Sequence, residues 1–302
     1  MRVTTAYTFN ASVDTLQRRQ QDLMERQLQL TSGKRVQRAS DDPTSAARAE
    51  RALAAISRTE AEQRAIEASR NVMTLAESAL GDAGELLQQA RELLVAAGNA
   101  TYSDLERQGL ATQLRGLRTQ LLAIANRTDG AGTYLFAGQG GNDVAPFDGP
   151  PGGVVYQGLP GDFSTATREP LPLSVDGEEA WLGGPGGGVF ATLDAAIGVL
   201  DAPPSGESTR ADLGDWLDGL DGAMNTMQRL RARIGELLNR ADLAEGRVAD
   251  ERLYNQTERS NAEDLDLVQA ISEFQNRQTG YDAALKAYSI VQRMSLFQYL
   301  NG

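Results

Sequence analysis

Phe9, Val13, Leu16, Gln20, Leu23, Gln27 and Leu30 recur at alternating spacings of four and three, the interval that keeps residues on one stripe of an α-helix. The interval returns near the other end in Ile271, Phe274, Gln278, Tyr281, Leu285, Tyr288 and Gln292. Each stripe is apolar yet carries two glutamines. A polar residue at a seam position costs stability and fixes register and partner number, so the two stripes read as mates in a coiled coil. The alternative is two ordinary amphipathic helices lying on a globular core. About three heptads barely offset helix nucleation and backbone ordering in water, so neither end is expected to be stable alone.

Inside these ends the pattern predicts three longer helices. Gly33 supplies a helix stop, and Asp42 as N-cap with Pro43 in the first turn supplies a start. Val72, Ala76, Ala79, Ala83, Leu87, Ala90, Leu94 and Ala97 then hold one frame, although Gly81 and Gly84 each weaken its middle by about 1 kcal/mol. An unbroken helix from Pro43 to Gly98 would be about 80 Å long and would need a rod-shaped bundle. Ser103 with Glu106 is a capping box opening a second helix through Leu110, Leu114, Leu117, Leu121 and Ile124. A third runs from Leu213 to Val248, with Arg231 and Glu245 as exceptions on its stripe. Beyond Val248 that frame turns polar, and Ser260-Asn261-Ala262-Glu263 reads as a capping box opening the terminal helix.

Residues 137–195 break the helical pattern. They hold fourteen of the 31 glycines and seven of the ten prolines, which excludes a long helix across them. Thr133–Phe136, Val154–Tyr156 and Leu171–Val175 are β-type runs. The predicted class is mainly α with a small β-rich insertion. Three regions follow: a terminal coiled coil (1–40 with 265–302), an α-helical rod (41–136 with 196–264) and a β-type domain (137–195).

Charge sharpens this division. The chain is acidic at −12, which opposes nucleic-acid binding. Residues 137–195 carry eight acids against Arg168 alone, whereas the first forty residues are net +4. That asymmetry predicts a solvated middle and ends that meet partners. No stretch approaches the roughly 20 apolar residues of a membrane span, and Met1–Tyr7 lacks the apolar core of a cleaved signal.

Candidate chemistry is sparse. With no histidine and no cysteine, imidazole and thiolate catalysis and their metal sites drop out. Gly183–Gly188 lacks the lysine of a phosphate loop and reads as a flexible turn. Glu178 and Glu179 are adjacent and diverge on a strand, and Asp143, Asp148 and Asp162 lack calcium-loop spacing. The expectation is a non-enzyme without catalytic residues, metal or cofactor.

Leu30-Thr31-Ser32-Gly33-Lys34-Arg35-Val36, Ala39-Ser40-Asp41-Asp42-Pro43 and Ala90–Asn99 carry a family likeness. Asn126-Arg127-Thr128 leading to Gly132-Thr133-Tyr134-Leu135-Phe136-Ala137-Gly138 extends it. So does the end of the chain, from Glu263-Asp264-Leu265-Asp266 to Ser295-Leu296-Phe297-Gln298-Tyr299-Leu300. In these segments the chain resembles the bacterial flagellins, more closely their hook-filament junction branch. The likeness covers about two thirds of the chain and none of its middle. Ordinary flagellin, which shares the bundle, is the close alternative, and a generic type III-secreted coiled-coil scaffold is a third. The resemblance implies an extracellular structural subunit exported without a cleaved signal peptide. Its implied partners are copies of itself in a ring, the first hook-associated protein, flagellin and an export chaperone. The residues expected to form the assembly surface are Phe9, Val13, Leu16, Leu23, Leu30, Ile271, Phe274, Tyr281, Leu285, Tyr288, Leu296 and Phe297.

Overall fold

In the computed structural model the chain is mainly helical with a small β insertion. The order is α1 (Arg2–Ser32), α2 (Pro43–Ala97), α3 (Asp104–Ala125), β1 (Phe147–Asp148), β2 (Val155–Tyr156), β3 (Phe163–Ser164) and β4 (Pro172–Ser174). A five-residue π-helical turn (Glu178–Leu182), α4 (Gly188–Asp201), α5 (Ser208–Glu263) and α6 (Leu267–Leu300) follow. The structure describes residues 2–98, 102–140, 144–150, 153–184, 187–202 and 208–300. It divides into two compact units, Met1–Thr59 with Asp250–Gly302, and Glu60–Ala249.

The larger unit is built on the predicted stripes. Ala76, Ala79, Ala83, Leu87, Ala90 and Leu94 of α2 are fully buried, with Leu114 and Leu121 of α3 and Leu220, Met227 and Ile234 of α5 in the same core. Alanine at five of the eight stripe positions from Val72 to Ala97 lets helix backbones approach closely, and Leu87 and Leu94 supply apolar area. Gly81 does not interrupt α2. The space its side chain would fill lies 3.7 Å from the Arg231 guanidinium, and Arg231 pairs with Glu77 one turn earlier. The other exception on the α5 stripe, Glu245, pairs with Arg70 of α2 at 2.7 Å. Both misfits are therefore cross-helix ion pairs at the edge of the seam.

Helix α4 corrects the sequence reading, which treated everything up to residue 195 as β-type. Val189, Phe190, Leu193, Ala196, Ile197 and Leu200 are buried on one face, and α4 packs against α3. Glycine density hid this start: Gly187 and Gly188 both sit at φ +84, immediately before a clean amphipathic pattern. Part of the Gly183–Gly188 run lies outside the described residues.

The insertion is two antiparallel pairs, β1–β2 with Phe147 opposite Tyr156, and β3–β4 with an irregularity at Phe163 and Ser164. Two of the three β-type runs contain β2 and β4. Thr133–Phe136 makes no ladder. It is held by an isolated Thr128–Tyr134 bridge and by the Leu135 carbonyl accepting from Val175 N at 2.8 Å. Aromatic residues are few, yet Phe136, Phe147, Trp181 and Phe190 meet in one buried nucleus, with Phe136 edge-on to Trp181 at 5.6 Å and Phe190 stacked on it at 6.1 Å. Two-stranded pairs this short are not stable alone, so this nucleus joins the insertion to α4. At Gly138, with φ +62, a Cβ would lie 2.0 Å from the Leu159 carbonyl oxygen, so only glycine fits this turn.

The acids of the middle are not simply solvated, which is a second correction. Glu169 receives Arg240 at 3.0 Å and also Arg247, and Asp162 receives Arg233 at 2.7 Å, all three arginines lying on α5. The Arg240 hydrogen bond, followed by that of Arg247, holds the Glu169 carboxyl below its ordinary value of 4.5. A carboxylate with a depressed folded-state pKa contributes stability above its unfolded pKa and loses it as pH falls through the folded value. Glu169→Gln is expected to flatten the acid limb of a urea-midpoint against pH curve below about pH 4.5. At neutral pH it should cost under about 1 kcal/mol, as befits a partly exposed pair.

Candidate assembly surface

The smaller unit begins with its two chain breaks. Gly33, at φ +69, ends α1, and its N–H donates to the Gln29 carbonyl at 2.9 Å. Asp41 accepts from Gln37 N and Arg38 N at 3.1 and 2.9 Å, which closes the loop. Asp42 then caps α2 as predicted, one carboxylate oxygen accepting from Thr44 N and Ser45 N, each at 3.1 Å. Hydrogen bonds from Ser45, then Thr44 and Arg35, hold this carboxyl well below the ordinary carboxylate range. Asp42→Ala is expected to fray the first turn of α2, speeding amide exchange at Thr44 and Ser45 several-fold while leaving Leu87 and Leu94 protected.

The second break lies against the first. Lys34 bridges Asp264 in antiparallel sense, Arg35 N donates to the Glu263 carbonyl at 2.7 Å, and Leu265 N donates to the Gly33 carbonyl at 3.0 Å. Here the structure departs from the sequence reading. Ser260–Glu263 is the last turn of α5 and not the start of α6, because the Ser260 hydroxyl turns to the Asp264 carboxylate. Asp266 is the cap of α6, accepting from Val268 N and Gln269 N at 3.0 and 3.1 Å.

From these paired breaks α1 and α6 run together, antiparallel and in register. Arg26 lies 3.6 Å from Glu273, Asp22 lies 3.1 Å from Arg277, and the Phe9 and Tyr288 rings are 5.9 Å apart. The four residues from Arg26 to Asp22 are matched by four from Glu273 to Arg277, and the thirteen from Asp22 to Phe9 by eleven from Arg277 to Tyr288. Val13, Leu16, Leu23 and Leu30 are half-buried on α1, as are Phe274, Tyr281 and Tyr288 on α6. Phe9 touches Tyr288 and is otherwise exposed.

The α6 frame is rotated relative to the expectation. Its inner stripe is Ala270, Phe274, Arg277, Tyr281, Ala284 and Tyr288, in which Ala270 is buried and Arg277 reaches Asp22. Small residues draw the helices together at Ala270, at Ala284 and at Gly280, where a Cβ would meet Arg19 at 3.0 Å. Ile271 and Leu285 therefore fall outside this stripe, 48% and 40% exposed. Gln20, Gln27 and Gln278 are exposed too, so the glutamines do not set the α1–α6 register. The Leu296 and Phe297 side chains and that of Gln292 lie outside the described residues.

The pair thus keeps a second apolar surface. On α6 it comprises Leu267, Val268, Ile271 and Leu285, and on α1 Met24 and Leu28, all exposed. Met24, Leu28, Leu267 and Val268 lie off the stripes that the spacing picks out. Their signal is the four-residue spacing of Met24 with Leu28 and of Leu267 with Ile271, beside Val268 three before Ile271. Among the described residues no acidic cluster could hold a metal ion, and no helix is long and apolar enough to cross a membrane.

Comparison with known proteins agrees with this architecture. The bacterial flagellin N-terminal helical region matches residues 3–140, and the bacterial flagellin C-terminal helical region matches residues 217–300. Flagellar hook-associated protein 3 of Salmonella typhimurium is 31% identical, over 99% of this chain and 99% of its own. The flagellin of Bacillus subtilis is 26% identical over 81% of each chain. The solved structure of a putative flagellar hook-associated protein from Vibrio parahaemolyticus shares the fold at TM-score 0.66. It is 22% identical, covering 74% of this chain and all of that one. Matched by both helical regions, and aligned nearly end to end with a relative of 31% identity, the chain belongs to the bacterial flagellin family, in the branch of flagellar hook-associated protein 3.

Proposed function

We propose that this chain is a structural subunit of the bacterial flagellum that joins hook to filament, and that the α1–α6 pair is its assembly element. The observation that carries the assembly role is the second apolar surface. A two-helix pair uses one stripe of each helix, and here Ile271, Leu285, Met24 and Leu28 remain outside it. Exposed apolar residues gathered on one element mark a contact site. Each would gain roughly 1.5–3 kcal/mol on full burial by a neighbour.

Further copies of the chain in a ring cover this surface in that reading. The first hook-associated protein lies on the hook side, and flagellin adds distally. An export chaperone shields the C-terminal stripe beforehand, and the subunit leaves through the flagellar type III apparatus without a cleaved signal. The ring adapts a curved, bending hook to a stiff filament, which is mechanical work and needs no catalytic group, cofactor, nucleic acid or membrane insertion. The end-to-end relation to hook-associated protein 3 favours the junction over the filament, since the flagellin match is weaker and shorter.

Immuno-electron microscopy of detached flagella decides between the two. Label in one narrow band between hook and filament is the expected result. Label along the whole filament would make the chain a flagellin.

A further inference from the structure

Within the larger unit, α2, the 129–140 turn, β3 and β4 enclose a cleft of about 480 Å³ that the assembly role leaves unused. Its floor is apolar, from Ala68, Val72 and Leu173. One wall is the Phe163 ring, 52% exposed on the short strand β3. Polar lining comes from the side chains of Asn71 and Gln139, both exposed, and from Asp129. Asp129 Oδ1 accepts from Ala131 N and Thr133 N at 2.9 and 3.0 Å, which fixes the carboxylate at the cleft.

The chemistry of the lining narrows the occupant. Gly138 N, Gln139 N and Gly140 N already donate to the Val175, Leu159 and Ala137 carbonyls, so the lip has no free strand edge for an extended peptide. Neither arginine nor lysine lines the described cleft, and Asp129 repels negative charge, so phosphate, sulfate and carboxylate ligands are disfavoured. A purely apolar ligand would cover the Asn71, Gln139 and Asp129 side chains without offering them partners. The remaining partner has one apolar C–H face for an aromatic ring and closely spaced neutral hydroxyls that both donate and accept. Amides meet that need because each offers a donor and an acceptor.

We propose that this cleft binds a neutral saccharide, with Phe163 stacking against the sugar face and Asn71, Gln139 and Asp129 engaging its hydroxyls. The cleft is half open and of small-ligand size, so it takes the end of an oligosaccharide and not an enclosed metabolite.

The test is titration of the full chain with maltotriose, cellotriose and triacetylchitotriose, followed by saturation-transfer NMR and calorimetry. At least one should bind with a dissociation constant on the order of 1 mM or tighter. Phe163→Ala should weaken it about tenfold through loss of the ring face, and Asn71→Ala and Gln139→Ala should weaken it as well. All three positions are exposed, and unchanged fluorescence of Trp181 and Trp216 will verify folding. Should Phe163→Ala misfold, the two amide variants decide. Swimming is expected to be normal in all three variants, which separates this site from the assembly surface. The proposal is overturned if none of the three sugars binds, or if binding survives the substitutions unchanged. Preference for a sulfated heparin disaccharide would overturn it equally.

Discussion

Replacing Arg118 by alanine is expected to destabilise the larger unit by about 3–5 kcal/mol, the cost of stranding a buried charge. Arg118 on α3 gives Asp194 on α4 a two-pronged contact, Nε to Oδ1 at 2.6 Å and a terminal nitrogen to Oδ2 at 3.0 Å. The same terminal nitrogen donates to the Pro150 carbonyl at 2.9 Å, and the guanidinium lies 5.9 Å from the Phe190 ring centre. The two side chains are only 5% and 8% exposed. One residue thus ties α3, α4 and the loop between β1 and β2 together beside the aromatic nucleus. Alanine removes the cation and leaves an unpaired carboxylate and carbonyl where water cannot reach easily. Both tryptophans, Trp181 and Trp216, are buried in this unit, so urea unfolding followed by fluorescence reports on it alone. The double variant Arg118→Met, Asp194→Leu removes both charges and should recover most of the loss. An unchanged urea midpoint in Arg118→Ala would show that the pair does not hold the unit.

Such long-range pairs are the part of this fold that the sequence conceals. Periodicity revealed α2 and α3 because their apolar stripes repeat over many turns; every stripe residue from Val72 to Ala97 is buried, and Met73 and Leu80, each beside the stripe, are buried with them. Local chemistry revealed the Gly33 stop and the Asp42 and Ser103 caps, each of which acts within a few residues. Helix α4 was obscured because a glycine-rich run preceded it and drew the whole neighbourhood into the β-type reading. The four aromatics of the nucleus are spread over 55 residues, and no local rule brings them together. In the terminal pair, periodicity found both helices and the Phe274, Tyr281 and Tyr288 positions of the α6 stripe, but it put Ile271 and Leu285 where Ala270 and Ala284 lie. Large apolar residues weigh most in a stripe count, whereas helices approach most closely over Ala270, Gly280 and Ala284. Leu285 and Ile271 scored as seam residues for the reason that leaves them outside it: they are large, apolar and one position off.

That offset gives the second expected result, in which Leu285→Asp abolishes swimming without unfolding the subunit. At a site 40% exposed in the subunit, a carboxylate stays hydrated and costs the monomer within about 0.5 kcal/mol. Once a neighbouring copy covers the Ile271–Leu285 stripe, that carboxylate loses its water with no cation provided, which costs several kcal/mol per contact. A ring repeats the contact in each copy, so the penalty multiplies and the junction does not close. Tyr281→Asp is the contrasting variant. Tyr281 lies on the inner stripe facing α1, so this change should loosen the α1–α6 pair itself and lower helicity in the isolated chain. Leu285→Met keeps volume and apolarity and should swim normally. The expected pattern is therefore wild-type circular dichroism and tryptophan fluorescence for Leu285→Asp, with bare hooks and flagellin shed into the medium. Normal swimming by Leu285→Asp would remove this stripe from the assembly, and a drop in its helicity would place Leu285 in the intramolecular seam that its spacing first suggested.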